Sequence, residues 1–289
     1  MGHGIAQVFA RAGHPVRIHD PVDAVRASIQ PRIRRNLADL GLDAGAADRV
    51  TVHETLAATV ADAAVIFEAG PENLGVKQRI FAEIEAACPA HALLASNTSV
   101  IPITRIMSGL RLGARALGTH WWNPPFLVPL VEVIRTPATS EAALETMTAL
   151  LAAAGKTPVR VEKDVPGFVG NRLQHALWRE AIALVADGVC DAETVDTVVK
   201  ASFGRRLAVL GPLENADLVG TDLTLAIHET VLPDLDRTPG PSAYLRQLVA
   251  DGRLGMKSGE GFRRWSDEQQ TELRRRVLAH LKTLDEQGI

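Results

Sequence analysis

Cysteine is scarce in this 289-residue sequence, and neither sign of charge dominates. The two cysteines, Cys88 and Cys190, are far apart and form no Cys-x-x-Cys spacing, which argues against a disulfide framework and a structural zinc site. The net charge of -3 provides no basic surplus to neutralise nucleic-acid phosphates or anionic lipid headgroups. We therefore expect neither nucleic acid nor a membrane as a partner, and a reducing, cytoplasmic compartment.

Long apolar runs are also missing, since no stretch approaches the roughly 18 residues typical of a membrane-spanning helix. Hydrophobic residues make up 46% and charged residues 22% of the sequence, which is typical of a globular protein with one large core or two smaller ones. The histidines show no metal-ligand spacing such as His-Glu-x-x-His, and neither a Gly-x-Ser-x-Gly elbow nor a Walker loop occurs. The sequence therefore predicts no metal centre and excludes two common hydrolase classes.

Short β-branched runs alternate with helical stretches up to about residue 163, after which helical periodicity continues alone. This pattern predicts an α/β domain over residues 1–163, with a mostly parallel sheet covered by helices, and an all-α domain over residues 164–289. A long helix over 168–186, ended by Gly188, opens the second domain. The predicted strands cover 16–19, 49–52, 64–68, 92–95, 116–120, 130–134 and 158–161.

The first residues predict a helix with a glycine-rich first turn, containing Gly2 and Gly4 and followed by a strand and Asp20. In dinucleotide-binding units, such a helix start binds the pyrophosphate, and an acidic residue after the next strand accepts hydrogen bonds from ribose hydroxyls. Gly2 lies 18 positions before Asp20, which fits the third glycine of a Gly-x-Gly-x-x-Gly fingerprint. These residues favour NAD over NADP, because a carboxylate repels the 2′-phosphate. An ordinary capped helix before a buried strand explains them as well.

The first strand and first two glycines of such a unit are not in the sequence. We expect about ten upstream residues, an apolar strand followed by Gly-x-Gly, so that Met1 is not the start of the working enzyme. The alternative is a natural truncation that binds the cofactor weakly or not at all.

Glu132 interrupts the otherwise apolar strand 130–134. A buried carboxylate without a partner costs several kcal/mol, so it requires a hydrogen-bond donor. His120, at the end of the preceding predicted strand, is the natural candidate. A carboxylate bound to one ring nitrogen stabilises the imidazolium and makes the other nitrogen a general base near neutral pH. This pair is suited to removing a hydroxyl proton, although a purely structural bond between His120 and Glu132 is the alternative.

Several further segments, taken with these, resemble the L-3-hydroxyacyl-CoA dehydrogenase family over nearly the whole chain. The matching segments lie in the family's order and near its spacings, and cover residues 2–7, 20, 71–77, 96–99, 118–124, 130–133, 166–173 and 257–262. The resemblance implies a Rossmann-type NAD-binding domain lacking its first strand, followed by a helical substrate domain that forms a homodimer.

The same resemblance assigns the site residues. It implies that His120 is the catalytic base with Glu132 as its partner, and that Ser99 and Asn171 hold the substrate oxygen and steady the histidine. It also places a set of residues near the cofactor, in addition to Gly2, Gly4 and Asp20: Glu72, Lys77, Ser99, Asn123 and Lys257.

The resemblance implies that the reaction is oxidation of a 3-hydroxyacyl-CoA. Two positions that contact CoA in the family's fatty-acid members bear on this substrate. Those positions look like Asn36 and Asp43, where the family has a serine and a lysine. An aspartate there would repel the CoA phosphates, and the alternative is that a nearby arginine substitutes for the lysine: Arg32, Arg34, Arg35 or Arg49. The sequence is also similar to a branch that acts on small substrates without CoA, including gulonate 3-dehydrogenase with its lens-crystallin relative, carnitine dehydrogenase and a pyridine-carboxylate dehydrogenase. Three hypotheses follow: a short-chain 3-hydroxyacyl-CoA substrate, a free hydroxy acid or hydroxymethyl compound, and a non-catalytic, crystallin-like protein.

Overall fold

The computed structural model describes residues 1–287, which form two compact units. The first unit is Met1–Arg172, and the second begins at Leu173. The domain boundary expected after residue 163 stays a prediction. In the part of the chain that is described, the helices are all too short or too polar to cross a bilayer.

All seven predicted strands are present in the first unit, each end within one residue of its predicted position. They are β1 (Val16–Ile18), β2 (Val50–Val52), β3 (Val65–Glu68), β4 (Leu93–Ser96), β5 (Ala116–Trp121), β6 (Leu130–Ile134) and β7 (Thr157–Val161). The helices between them are α1 (Gly2–Arg11), α2 (Asp23–Asp39), α3 (Leu56–Val60), α4 (Leu74–Ala87), α5 (Ile103–Ile106) and α6 (Glu141–Ala153).

The strands form a five-stranded sheet in the order β3-β4-β5-β6-β7 and a separate parallel pair, β1 and β2. Only β5 and β6 pair in antiparallel fashion within the larger sheet, which confirms the prediction of a mostly parallel α/β fold. The exception has a simple cause. The loop between β5 and β6 carries no helix, and a parallel pairing would require a crossover of a dozen or more residues.

Apolar side chains cover both faces of the larger sheet. On one face, α1 and α6 pack against β4, β5 and β6, with Phe9 and Met147 in contact with the strand residues Leu117 and Val131. On the other face, α4 and α5 bury Phe81 and other apolar residues against alternate residues of the same strands. Because both faces are covered, the polar ends of the strands are the places where a ligand can reach the sheet.

In the described part of the second unit the regular elements are helices, apart from isolated β-bridges among residues 255–264. Its elements are the greater part of α7 (Gly170–Ala186), then α8 (Ala192–Ala201), α9 (Pro212–Val219), α10 (Thr221–Val231), α11 (Ala243–Ala250) and α12 (Asp267–Gln287). Gly188 takes the left-handed conformation that ends α7, with φ of 71°. No residue of α7, α8, α9 or α10 is buried, and Leu173 and Leu177 are 58% and 41% exposed. These helices therefore leave much apolar surface uncovered.

Candidate active site

His120 and Glu132 lie directly opposite each other in the antiparallel pair of β5 and β6. The two side chains are 4% and 1% exposed, and His120 Nδ1 lies 2.7 Å from Glu132 Oε2. Since Nδ1 is engaged by the carboxylate, the Nε2 atom is the ring nitrogen left to exchange a proton with a substrate. The structure thus joins the two residues that the sequence predicts as a base and its partner.

The second oxygen of Glu132 is held by the backbone. Glu132 Oε1 accepts hydrogen bonds from the N–H groups of Val169, at 2.8 Å, and Gly170, at 3.0 Å. Burial alone would raise the pKa of the Glu132 carboxyl, but the hydrogen bonds from His120 and these two N–H groups outweigh burial and lower that pKa. Glu132 is therefore ionised at neutral pH and can stabilise a positive charge on His120.

Two aromatic rings flank the imidazole of His120. Its ring centroid lies 5.1 Å from that of Trp122 and 5.7 Å from that of Phe168. Phe168 is fully buried and has a positive φ of 51°, which is unfavourable for a residue with a side chain. This strained conformation immediately precedes the two N–H groups that bind Glu132. A Cβ atom at position 170 would lie 2.5 Å from Trp122 Cζ2, so only glycine fits there.

Ser99 and Asn171 meet through the backbone. Asn171 Nδ2 donates to the carbonyl oxygen of Ser99 at 2.7 Å, and the Ser99 residue itself is exposed. Glu72 holds the same turn, because its Oε1 atom accepts from Thr98 Oγ1 at 2.5 Å and from the N–H of Ser99 and of Val100, both at 3.2 Å. Burial raises the pKa of Glu72, but these hydrogen bonds and the nearby Lys77 lower it overall. Glu72 therefore fixes the turn that carries Ser99.

Lys77 is fully buried in an ion pair. Its Nζ atom lies 2.9 Å and 3.0 Å from the two carboxylate oxygens of Glu68 and 3.3 Å from the carbonyl oxygen of Gly70. Ser96 Oγ donates to Glu68 Oε2 at 2.7 Å. The predicted contact of Lys77 with the nicotinamide ribose stays a prediction; in this structure its ammonium group binds Glu68 at the end of β3 and the carbonyl oxygen of Gly70 just after it.

The sequence analysis missed Glu68 and Phe168. Glu68 ends the apolar strand β3, so the reasoning that singled out Glu132, a carboxylate within an apolar strand, would have found it. Phe168 carries no such signal, because its importance lies in a backbone angle that sequence patterns do not reveal.

The residues predicted to bind the cofactor lie at the start of the chain. In the described residues no side chain caps α1, and no acidic residue occupies its first turn, so its N–H groups can receive a phosphate. Asp20 is half-buried after β1, and its Oδ1 accepts from the N–H of Val22 at 3.0 Å, which leaves the other oxygen able to bind a ribose hydroxyl. A Cβ atom at Gly4 would lie 2.5 Å from Pro125 Cγ, so this glycine is required by packing. Gly2, Asp20 and the start of α1 fit NAD.

The last two predicted residues lie elsewhere. Asn123 is exposed in the loop after β5 and precedes a cis peptide bond to Pro124. Lys257 is exposed in the second unit. Over residues 1–287, no group of three histidine, cysteine or acidic side chains is placed to hold a metal ion.

A mostly parallel sheet with a glycine-rich first helix, an acidic residue after β1 and a buried histidine–glutamate pair defines an NAD-dependent dehydrogenase. Comparison with known proteins identifies the family. Residues 1–165 match the NAD binding domain of 3-hydroxyacyl-CoA dehydrogenase, and residues 167–265 match the C-terminal domain of the same family. The chain belongs to the 3-hydroxyacyl-CoA dehydrogenase family, and its cofactor is NAD.

Two relatives and two solved structures illustrate the range of the family. The 5-formyl-3-hydroxy-2-methylpyridine 4-carboxylate 5-dehydrogenase of Mesorhizobium japonicum is 34% identical, with 99% of this chain and 95% of that protein covered. A probable 3-hydroxybutyryl-CoA dehydrogenase of Bacillus subtilis is 38% identical, with 91% and 93% covered. A crystal structure of the pyridine-carboxylate enzyme, described as an NAD⁺-dependent dismutase, has a TM-score of 0.92 at 32% identity, with 99% and 94% covered. The structure of (S)-3-hydroxybutyryl-CoA dehydrogenase from Ralstonia eutropha has a TM-score of 0.74 at 33% identity, with 92% and 96% covered.

Proposed function

We propose that this protein oxidises a carbon-bound hydroxyl group to a carbonyl group, with His120 as the general base. The observation that carries the proposal is the buried 2.7 Å contact between His120 Nδ1 and Glu132 Oε2. NAD, when bound, accepts the hydride. His120 takes the hydroxyl proton on Nε2, and the ionised Glu132 stabilises the resulting imidazolium. The N–H groups of Val169 and Gly170 keep the carboxylate in place during this transfer.

Ser99 and Asn171 are proposed to bind the substrate oxygen beside His120. Their hydrogen bond through the Ser99 carbonyl supports this proposal, because it fixes the amide of Asn171 relative to the turn after β4. Glu72 contributes as a positioning residue through its three hydrogen bonds to the same turn.

The first candidate substrate is a short-chain 3-hydroxyacyl-CoA, which would place the protein in fatty acid metabolism. The family assignment and the similarity to a probable 3-hydroxybutyryl-CoA dehydrogenase over nine-tenths of both chains support it. The reaction would convert the 3-hydroxy group to a 3-oxo group, reduce NAD to NADH and release one proton.

A hydroxy acid or hydroxymethyl compound without CoA is the second candidate, and two observations favour it. The Asn36 side chain donates to Gln7 at 3.1 Å, and the Asp43 carboxylate accepts from the Gly45 N–H at 2.8 Å. Neither residue offers CoA a cation at the positions where the family's fatty-acid members contact it, and Asp43 would repel a phosphate. The TM-score of 0.92 to an enzyme of a pyridine carboxylate also supports a compact, anionic substrate.

One assay separates the two candidates. NADH formation is measured with 3-hydroxybutyryl-CoA, free 3-hydroxybutyrate, carnitine and a hydroxymethylpyridine carboxylate, with reduction of acetoacetyl-CoA as the reverse reaction. A kcat/KM for 3-hydroxybutyryl-CoA at least about tenfold above the kcat/KM of each other compound supports the first candidate. A tenfold ratio corresponds to about 1.4 kcal/mol of free energy. The opposite order supports the second. If the protein turns over none of these compounds, the proposed reaction is contradicted.

Asp20 should determine the choice between NAD and NADP. Because a carboxylate repels the 2′-phosphate of NADP, replacing Asp20 with serine should narrow the ratio of kcat/KM values for NAD and NADP by about tenfold or more. Asp23→Ser is the matched control, since Asp23 is an exposed carboxylate three positions further on. A wild-type protein that uses both cofactors equally would show that Asp20 has been placed wrongly.

We infer a homodimer formed through the helices of the second unit. The support is the apolar surface of α7 to α10, which on α7 includes the exposed Leu173 and Leu177 and the half-buried Ile182, Leu184 and Val185. Light scattering at micromolar concentration should give twice the monomer mass of 31.0 kDa. Leu177→Glu should shift the mass towards the monomer, whereas Val22→Glu, at an apolar residue 53% exposed in the first unit, should not. A monomeric wild type would contradict the inference.

The cytoplasmic location stays a prediction, consistent with the free thiols of Cys88 and Cys190.

A further inference from the structure

Residues 122–129 join β5 to β6, the two strands that carry the histidine–glutamate pair. We call these residues the proline loop, since prolines occupy three of the eight positions. The N–H groups of Leu127 and Val128 both donate to the carbonyl oxygen of Pro124, at 3.1 Å and 3.0 Å. The proline loop is therefore a turn with its own hydrogen bonds, at the edge of the sheet where β5 ends and β6 begins.

The proline loop contacts both the cofactor helix and the histidine. Pro125 and Leu127 are buried, and a Cβ atom at Gly4, in the first turn of α1, would lie 2.5 Å from Pro125 Cγ. Trp122, the first residue of the loop, has its ring centroid 5.1 Å from that of His120. The position of this loop therefore affects the helix start that fits the NAD pyrophosphate as well as the imidazole.

The ammonium group of Lys156 holds the proline loop in place. This half-buried lysine immediately precedes β7, and its Nζ atom donates to the carbonyl oxygen of Pro125 at 2.6 Å and to that of Val128 at 3.2 Å. The N–H of the next residue, Thr157, donates to the carbonyl oxygen of Pro129 at 2.9 Å. Hydrogen bonds from a charged donor are stronger than neutral ones, so Lys156 is the main restraint on the middle of the loop.

We propose that Lys156 is a positioning residue, which fixes the proline loop and thereby positions both the first turn of α1 and the ring of His120. The part that concerns His120 rests on the proposed function, whereas the part that concerns α1 depends only on NAD as cofactor. Without the ammonium group, Pro125 can move away from Gly4, and the N–H groups of the helix start lose a rigid support. A lysine that only stabilised the fold would leave the NAD affinity of the folded protein unchanged.

Calorimetry of NAD binding and hydrogen exchange without NAD test this proposal. Lys156→Met should raise Kd for NAD by about tenfold, because the loop must then be ordered when the cofactor binds. In the same variant, the amides of Leu127 and Val128 should exchange about tenfold faster. Lys156→Arg keeps a cation that can donate to both carbonyl oxygens, so it should recover most of the NAD affinity. Lys163→Met is the matched control, since Lys163 is exposed beyond the other end of β7, and it should change neither quantity.

A double-mutant cycle tests whether Lys156 acts through the proline loop. Gly4→Ala places a methyl group against Pro125 and should by itself raise Kd for NAD by about tenfold. In the Lys156→Met protein the released loop gives way to the methyl group, so Gly4→Ala should raise Kd by less than about threefold further. Asp20→Ser acts on the ribose instead, and it should raise Kd by the same factor in both backgrounds.

An unchanged Kd for NAD or unchanged amide exchange in the Lys156→Met protein overturns the proposal. Independent effects of Lys156→Met and Gly4→Ala on Kd also overturn it, because the two substitutions would then not act through one loop. If Lys156→Met does not fold, Lys156→Gln takes its place, with the same expected directions.

Kinetics test the part of the proposal that concerns His120. With a substrate that the wild type oxidises, Lys156→Met should lower kcat by about tenfold, since small displacements of a base are costly. An unchanged kcat would show that the proline loop does not position His120. If the wild type oxidises no substrate, the proposed function fails, whereas the calorimetry and hydrogen exchange still decide whether Lys156 positions α1.

Discussion

Replacing His120 with alanine should lower kcat by roughly 10² to 10⁴, the usual range for loss of a general base. The affinity for NAD, measured by calorimetry, should change little, because His120 is buried in its pair with Glu132 and is not among the residues predicted to bind the cofactor. His91→Ala is the matched control, since His91 is exposed and distant in sequence from the site. Near-normal turnover of the His120→Ala protein would contradict the proposed mechanism.

Glu132→Gln separates a chemical from a structural role of the carboxylate. The substitution keeps the shape of the side chain but removes the charge that compensates a protonated His120. The acidic limb of the pH profile of kcat/KM should therefore move to lower pH, and the rate at neutral pH should fall. A profile with an unchanged acidic limb would leave Glu132 with only a structural role.

The second large effect is expected from the buried ion pair of Lys77 and Glu68. Lys77→Met would leave the Glu68 carboxylate buried without its cation, which typically destabilises a protein by about 3–5 kcal/mol. Urea unfolding of this variant should show the loss as a lower midpoint. The double variant with Glu68→Leu and Lys77→Met should recover much of that loss, because it removes both buried charges.

A surface pair provides the control for this experiment. Arg275 and Glu272 form an ion pair on the exposed side of α12, and Arg275→Ala should leave the unfolding midpoint unchanged. The Glu68 side chain is only 1% exposed. If the Lys77→Met and wild-type proteins unfold at the same urea midpoint, burying Glu68 without its cation has no cost, and the account of this ion pair is contradicted.

The features that could be predicted from the sequence are those that depend on hydrophobic periodicity and burial within a single segment of the chain. The seven strands follow from short, largely apolar runs, most of them rich in β-branched residues, and the pairing of His120 with Glu132 follows from the cost of a lone carboxylate in an apolar strand. The same argument applies to Glu68, but its partner Lys77 lies nine positions later on α4, and no local pattern links a helix lysine to the end of the preceding strand.

Other features depend on contacts that no local pattern encodes. The antiparallel direction of β6 results from the short loop before it, and the positive φ of Phe168 occurs at a residue buried beside His120. The need for glycine at position 170 comes from the ring of Trp122, which is distant in sequence. These features depend on how the chain packs in three dimensions, so they could not be predicted from a single sequence.

Proton release during a single turnover tests the central claim most directly. NAD-saturated wild-type protein is mixed with a substrate identified in the panel, and NADH absorbance is followed together with a pH indicator. The account predicts one proton released for each NADH formed in the wild type, and a parallel slowing of both signals in the His120→Ala protein. NADH formation at the wild-type rate in that variant would show that another group removes the hydroxyl proton.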